Sequence, residues 1–286
     1  MMTGFGDFAE HYSGYNTARV ALLPVPFDKT CSWMTGASKG PEAILKASYY
    51  LENYDIETGE EVYRKGIHTD APIVAETSQE MIARVSARVA ELTQDGKFVV
   101  TLGGEHSISQ APVNALVERY PALSVLHLDA HGDTRDEYEG SKYSHASVMA
   151  RIREKVTNVV SVGIRSIEAE ERKVLDPART FFAYQIHDSY DWIDQAVALL
   201  NDPVYVTIDV DVFDPSELPA TGTPEPGGLR WYMVMKLLRT LSQKRKIAGF
   251  DVVELSPTDH KASDFLTAKL IYTFLSYISH DNAWDF

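Results

Sequence analysis

Apolar residues follow two alternating patterns along this chain. Short unbroken runs such as RVALLPV (19–25), KFVVTL (97–102), ALSVLHL (122–128) and VYVTID (204–209) lack polar alternation, as expected of strands covered on both faces. Between them lie longer stretches with apolar positions three or four apart. In 78–94, Met81, Val85, Val89 and Leu92 share one helical face. These spacings predict strands at 19–25, 97–102, 122–128, 158–162, 179–183, 204–209 and 247–253. They predict helices at 41–51, 78–94, 107–119, 143–155, 168–175, 189–200, 229–242 and 262–278. Pro41 suits the first turn of its helix. Strands alternating with helices make an α/β chain with a mostly parallel sheet sandwiched between helical layers. No repeat, low-complexity tract or long linker divides the chain, so one domain over 1–286 is expected. The polar, Gly/Tyr-rich residues 1–17 read as an arm on the body or on a neighbouring subunit, and the final HDNAWDF as a surface tail.

Charge narrows the range of partners. The chain has 27 Lys+Arg against 41 Asp+Glu, a net charge of −14, which argues against nucleic acid and anionic membranes and is compatible with a cationic ligand. The single cysteine, Cys31, excludes an internal disulfide and a thiolate zinc site, and reads as a small packing residue. The start, MMTGFGDFAEHYSGY, has no signal-peptide character. Apolar stretches fall well short of the ~20 residues of a membrane span, so a cytoplasmic protein is expected.

Three predicted strands end in residues that ligate metals: Gly103-Gly104-Glu105-His106, Asp129-Ala130-His131-Gly132-Asp133 and Asp209-Val210-Asp211. Ligands bind beyond the carboxyl ends of strands in open α/β sheets. Residues two apart in extended chain point to the same side, so Asp129, His131 and Asp133 share a direction, as do Asp209 and Asp211. One D-x-D alone is a loop or cap. Together the three place four carboxylates and two imidazoles in one cleft, where buried charges need partners or metal. Six such ligands without thiolate suit hard to borderline ions, manganese best, and exceed the needs of one open ion. They match two ions sharing bridging carboxylates. Read by themselves, His145 is a helix cap, Glu254 a strand-end charge and Thr223 part of a Gly-rich turn, while His127, two residues before Asp129, is a buried core histidine or, as the alternative, a partner of Asp129.

With GGEHS (103–107), DAHGD (129–133), YSHAS (143–147), DVDVFDP (209–215), PATGTPEPGG (219–228) and DVVELSP (251–257) in this order, the chain resembles the ureohydrolase (arginase/agmatinase) family over roughly residues 18–278. The resemblance implies a three-layer α/β/α sandwich of arginase type, two Mn2+ per subunit, a trimer or hexamer, and release of urea from a small cationic guanidino compound. Carried over position by position, one ion takes His106, Asp129, Asp133 and Asp209. The other takes Asp129, His131, Asp209 and Asp211, with Asp129 and Asp209 bridging. His145 matches the family's mobile, proton-transferring histidine. Glu254 matches the carboxylate that grips the guanidinium, and Thr223 lies in the loop that hydrogen-bonds the reacting group.

Arginases carry an Asn and a Ser after DAHxD that read an α-carboxylate and an α-amino group. Here the loop reads Asp133-Thr134-Arg135-Asp136-Glu137-Tyr138-Glu139-Gly140-Ser141. Asp136, Glu137 and Glu139 are expected to make the substrate rim hostile to a carboxylate and friendlier to an amine, with Asp136 and Glu139 as the substrate-binding candidates. No counterpart of the amine-reading aspartate stands out near Ser166–Glu168. GIRS (163–166) looks agmatinase-like, and Ala220 replaces a frequent Gly of agmatinases. Agmatine is the expected substrate, with putrescine and urea as products. Another guanidino hydrolase, such as an arginase or guanidinobutyrase, and a non-catalytic guanidine- or polyamine-binding subunit are the alternatives.

Overall fold

The computed structural model describes residues 4–284. Eight parallel strands form one sheet: β1 (Val20–Val25), β2 (Ile67–Thr69), β3 (Phe98–Gly103), β4 (Ser124–Leu128), β5 (Asn158–Ile164), β6 (Thr180–Phe182), β7 (Val204–Asp209) and β8 (Ile247–Val253). Their order is β2-β1-β3-β8-β7-β4-β5-β6. Adjacent side chains feed opposite layers, and side chains two apart feed the same one. Val20, Leu22, Val100 and Leu102 pack with helices Gly40–Ser48, Asp191–Ala198, Trp231–Lys244 and Ala262–His280. Ala21, Leu23, Val25 and Val99 pack with helix Ser78–Gln94, and Val125 and Val159 with helices Gln110–Arg119 and Val148–Arg153. Strands β1, β3, β4, β7 and β8 are buried at every position, so the absence of alternation records helices on both faces. The sandwich is the three-layer architecture expected. Among the described residues, no helix is long and apolar enough to cross a membrane.

Helix Ser78–Gln94 shows how local sequence sets an element. Thr77 stands in extended conformation and its hydroxyl accepts the Glu80 amide at 3.2 Å, an N-cap. Met81, Val85, Val89 and Leu92 are buried as predicted.

The structure departs from expectation at one strand, at two helix starts and at the closing segment, and it decides where the arm packs. β2 was not foreseen: its three residues, Ile67, His68 and Thr69, occupy an edge and only Ile67 is buried. The helix expected at 143–155 begins as a 3-10 turn, His145–Ser147, before Val148–Arg153, and that at 107–119 begins as His106–Ser109. The closing segment is not a surface tail. Trp284 is 6% exposed, its ring lies 4.9 Å from that of Phe98, and the Ile247 amide donates to the Ala283 carbonyl; residues 285–286 lie outside the described part. Residues 4–17 of the arm pack on the chain's own body, where Phe5 is buried, stacks on Tyr272 and donates its amide to Thr69 Oγ1; residues 1–3 lie outside the described part.

Candidate metal centre and active site

The site sits beyond the carboxyl ends of the four neighbouring central strands, β3, β8, β7 and β4. After β3 the chain turns through Gly104, where a Cβ would stand 1.9 Å from the Phe27 carbonyl oxygen. Only glycine allows that approach, and it delivers Glu105 and His106. After β7, Asp209 caps the 3-10 turn Val210–Val212, its Oδ1 accepting the Asp211 amide at 2.8 Å, which turns Asp211 into the same space. After β4, Asp129 Oδ1 accepts the His131 amide, and Asp211 Oδ1 accepts the Ala130 amide at 2.9 Å. Asp133 and Glu254 both have positive φ, 50° and 65°. Such geometry costs a non-glycine residue on the order of 1–3 kcal/mol and clusters at functional sites.

The predicted ligands come together. His106 Nδ1 lies 3.0 Å from Asp129 Oδ2, 3.2 Å from Asp133 Oδ2 and 3.4 Å from Asp209 Oδ2. His131 Nδ1 lies 2.9 Å from Asp211 Oδ2 and 3.5 Å from Asp129 Oδ1. His106 Nδ1 is fully buried without a hydrogen-bond partner, whereas its Nε2 stands 2.9 Å from Thr207 Oγ1. The Thr207 hydroxyl donates to Asp251 Oδ1 at 2.7 Å, and Tyr205 donates to Asp251 Oδ2 at 2.6 Å. The Thr207 oxygen is therefore the acceptor toward His106, which places a ring proton on Nε2 and turns Nδ1 toward the carboxylates as the atom free to take a cation.

The charges in this space call for cations. Burial, with the Asp211 and Asp129 charges, pushes the Asp209 pKa well above the carboxylate range. Burial opposes charging of His131, yet Asp211 and Asp129 pull its pKa up to about 12. Against burial, Asp129, Asp133 and Asp209 raise the His106 pKa as well. Donor atoms of Asp129, His131 and Asp211 lie within 4.8 Å of one another, as do those of His106, His127 and Asp129. This set fits a divalent ion. His127 is more than core filling: Nε2 stands 2.7 Å from Asp129 Oδ2 and Nδ1 3.1 Å from Ser161 Oγ. Being two residues before Asp129 on a strand, it shares that side chain's direction and holds it from below.

A cavity of about 270 Å³ opens above these residues. His131, Asp133, Asp209 and Asp211 line it, together with His145, Thr223 and Glu254. His106 and Asp129 are buried beneath. Glu254 Oε1 accepts the His106 amide at 2.6 Å, and burial together with the Glu105 charge pushes its pKa up to about 8.

The rim differs from expectation. Asp136 and Glu139 do not line the cavity. Asp136 is exposed and turned away by Arg151 at 2.6 Å and Lys142 at 3.3 Å, with Arg151 holding its pKa below the usual range. Glu139 sits in the exposed turn closed by Tyr138 and Ser141, with a φ of 48°. The wall is built instead by Arg135, Tyr138, Ser166, Ile167, Glu168 and Glu171. The stretch Ser166–Glu168, where no acid reader stood out, thus places a carboxylate on the cavity, 3.1 Å from Arg135. Glu171 is buried and closes the loop by accepting the Thr134 amide at 2.9 Å. Sequence reading also passed over the loop Cys31–Met34 at the mouth and its anchor, Glu105, which accepts the Thr30 amide and hydroxyl, both at 2.6 Å. The glutamate of GGEH was the available signal.

With this geometry in hand, similarity is decisive. Residues 18–276 match the family described as Arginase family, and the chain belongs to that family. Within it, the chain is an agmatinase-like ureohydrolase. It is 38% identical to the N(1)-aminopropylagmatine ureohydrolase of Synechocystis sp. over 281 residues, covering 94% of this chain and 92% of that one. It is 35% identical to the agmatinase of Pyrococcus horikoshii, over 88% of this chain and 89% of that one. The solved agmatine ureohydrolase of Thermoplasma volcanium superposes with a TM-score of 0.87 at 31% identity, over 97% of this chain and 96% of that one.

Proposed function

We propose that the protein is a binuclear manganese hydrolase that adds water to the guanidino carbon of agmatine, yielding urea and putrescine. One observation carries this reading: four aspartates and two imidazoles converge on one side of a cavity that Glu254 faces from β8. His106, Asp129, Asp133 and Asp209 would hold one ion, and Asp129, His131, Asp209 and Asp211 the other. A set of oxygen and imidazole donors favours manganese. When bound, such ions supply Lewis acidity and lower the pKa of water toward ~7.

The chain's own residues do the rest. Glu254 grips the guanidinium by charge-assisted hydrogen bonds, and the bound cation keeps that lifted carboxyl ionised. Thr223, on the same cavity, hydrogen-bonds the reacting group. Water adds to the guanidino carbon, and the C–N bond to the alkyl amine breaks. The leaving nitrogen must take up a proton as it departs, and His145 delivers it. Glu168 is the carboxylate that faces the ammonium end of the substrate, the part first assigned to Asp136 and Glu139.

The similarity to the Synechocystis enzyme favours a second substrate, N(1)-aminopropylagmatine, whose aminopropyl extension would reach past Glu168 toward the mouth. Urea release from agmatine, N(1)-aminopropylagmatine, guanidinobutyrate and arginine, each with and without manganese, tests both. Agmatine or its aminopropyl derivative is expected to lead. A lead by arginine removes the substrate assignment. No urea from any of the four removes the hydrolase reading in favour of a guanidine-binding subunit. The same reading expects a homo-oligomer, a trimer or hexamer, which sedimentation checks.

A further inference from the structure

We propose that Thr30 is the positioning residue that fixes the protonation pattern of the His145 ring. Thr30 opens the loop over the cavity mouth. Its amide donates to Glu105 Oε2 and its hydroxyl to Glu105 Oε1, each at 2.6 Å. Ser107 Oγ donates to the same Oε1 at 2.5 Å. The Thr30 oxygen in turn accepts the His145 amide at 3.0 Å and stands 3.3 Å from His145 Nδ1.

A hydroxyl has one proton and two lone pairs. The proton of Thr30 is committed to a buried carboxylate. One lone pair takes the His145 amide, so toward the ring the oxygen offers only the other. Nδ1 must then carry the ring proton and donate it. Nε2 is left as the basic atom, near the mouth loop at 3.5 Å from Ser32 Oγ. Tyr138 meets the ring edge-on at 5.6 Å and 82°, which fixes its plane from the other side.

Thr30 touches no reacting atom. It acts through His145, deciding which nitrogen exchanges the proton with the leaving amine. The kinetic consequence rests on the ureohydrolase reading, whereas the ring assignment rests on the geometry alone.

Thr30→Val keeps the residue's size and the amide bond to Glu105 while removing the hydroxyl, and Thr30→Ser restores it. Long-range 1H–15N spectra of the histidine-labelled, metal-free chain, recorded where the His145 ring is neutral, are expected to show the proton on Nδ1 in the wild type and in Thr30→Ser, and to lose that preference in Thr30→Val. With manganese and agmatine, kcat of Thr30→Val is expected to fall about 10-fold, the range for a partner one step removed from the reacting group. KM should stay within about twofold. In a His145→Ala background Thr30→Val should add no further loss. The proposal is overturned if the wild-type ring carries its proton on Nε2, or if Thr30→Val costs the same with and without His145. Should Thr30→Val fail to fold, the wild-type spectrum alone decides. If the wild type releases no urea, the ureohydrolase reading fails while the spectrum still judges Thr30.

Discussion

At the amino-terminal ends of β1, β3 and β8 the chain closes with Trp284 against Phe98 and under the Arg19 guanidinium, 5.1 Å from the ring. At the carboxyl ends of β3, β8, β7 and β4 it gathers four aspartates, two of its φ > 0 residues and an unpartnered buried imidazole nitrogen. The same strands serve both ends. The lower end is relaxed and apolar, and its value is stability. The upper end holds strain and uncompensated charge, sustained by the packing beneath. A residue's contribution to activity and its contribution to stability should therefore separate by the end of the sheet it occupies.

The sharpest separation is expected at Asp209. Asp209→Asn should lower kcat/KM by on the order of 10³-fold, a decade beyond the ~10–100-fold effect of outer partners, while the metal-free chain melts at or above the wild-type temperature because the cost of burying a carboxyl among other carboxylates is gone. His106→Asn should be milder, since His106 serves one ion. Urea release and thermal melts of the two variants check this. Chelation should give the same loss of activity, reversed by manganese, and two ions per chain are expected at saturation.

The mirror image is Trp284→Ala. It should destabilise by about 3 kcal/mol, the range for large-to-small changes in packed sites, and leave kcat per folded molecule unchanged. A fall in kcat at constant folded fraction would break the separation of the two ends.

Asp214 tests an intermediate case, a structural carboxylate on the active-site side. The Ser216 hydroxyl and amide, with the Gly228 and Gly227 amides, hold its pKa down to about 2. A pKa lowered by folding contributes stability above the unfolded value of about 3.9, and that stability is lost as pH falls from about 4 through about 2. Asp214→Asn should cost about 1 kcal/mol at neutral pH, after allowance for solvent screening, and the gap to wild type should close in urea melts near pH 2.

The smallest effect is expected at Asp136. With its carboxylate turned to Arg151 and Lys142, Asp136→Asn should change kcat/KM for agmatine by less than about twofold, whereas Glu168→Gln should cost about fivefold, the scale of one partly screened ion contact. The reverse ranking would return the amine end to the 136–139 loop.

The contrast between these two acids shows what the sequence could reveal. Strands announced themselves because burial on both faces leaves an unbroken apolar run, and the candidate ligands did because period two after a strand end needs no tertiary knowledge. The direction of Asp136 is set by Arg151, fifteen residues on, and the role of Thr30 by Glu105, seventy-five residues on. Such contacts have no local signature. β2 was too short and too half-buried to stand out, and the polar neighbours of Trp284 disguised a core residue.

The strand order carries a consequence in time. β3 and β4 are neighbours in sequence but not in the sheet, because β8 and β7 lie between them. A chain emerging from the amino terminus has its first two ligand loops ready well before the strands that must separate them exist. The sheet stays split into two halves until residues 204–253 are available to fill the gap. Assembly of all six candidate ligands is thus a late event, and a nascent or truncated chain ending before β7 carries four of them without the strands that bring them together with Asp209 and Asp211.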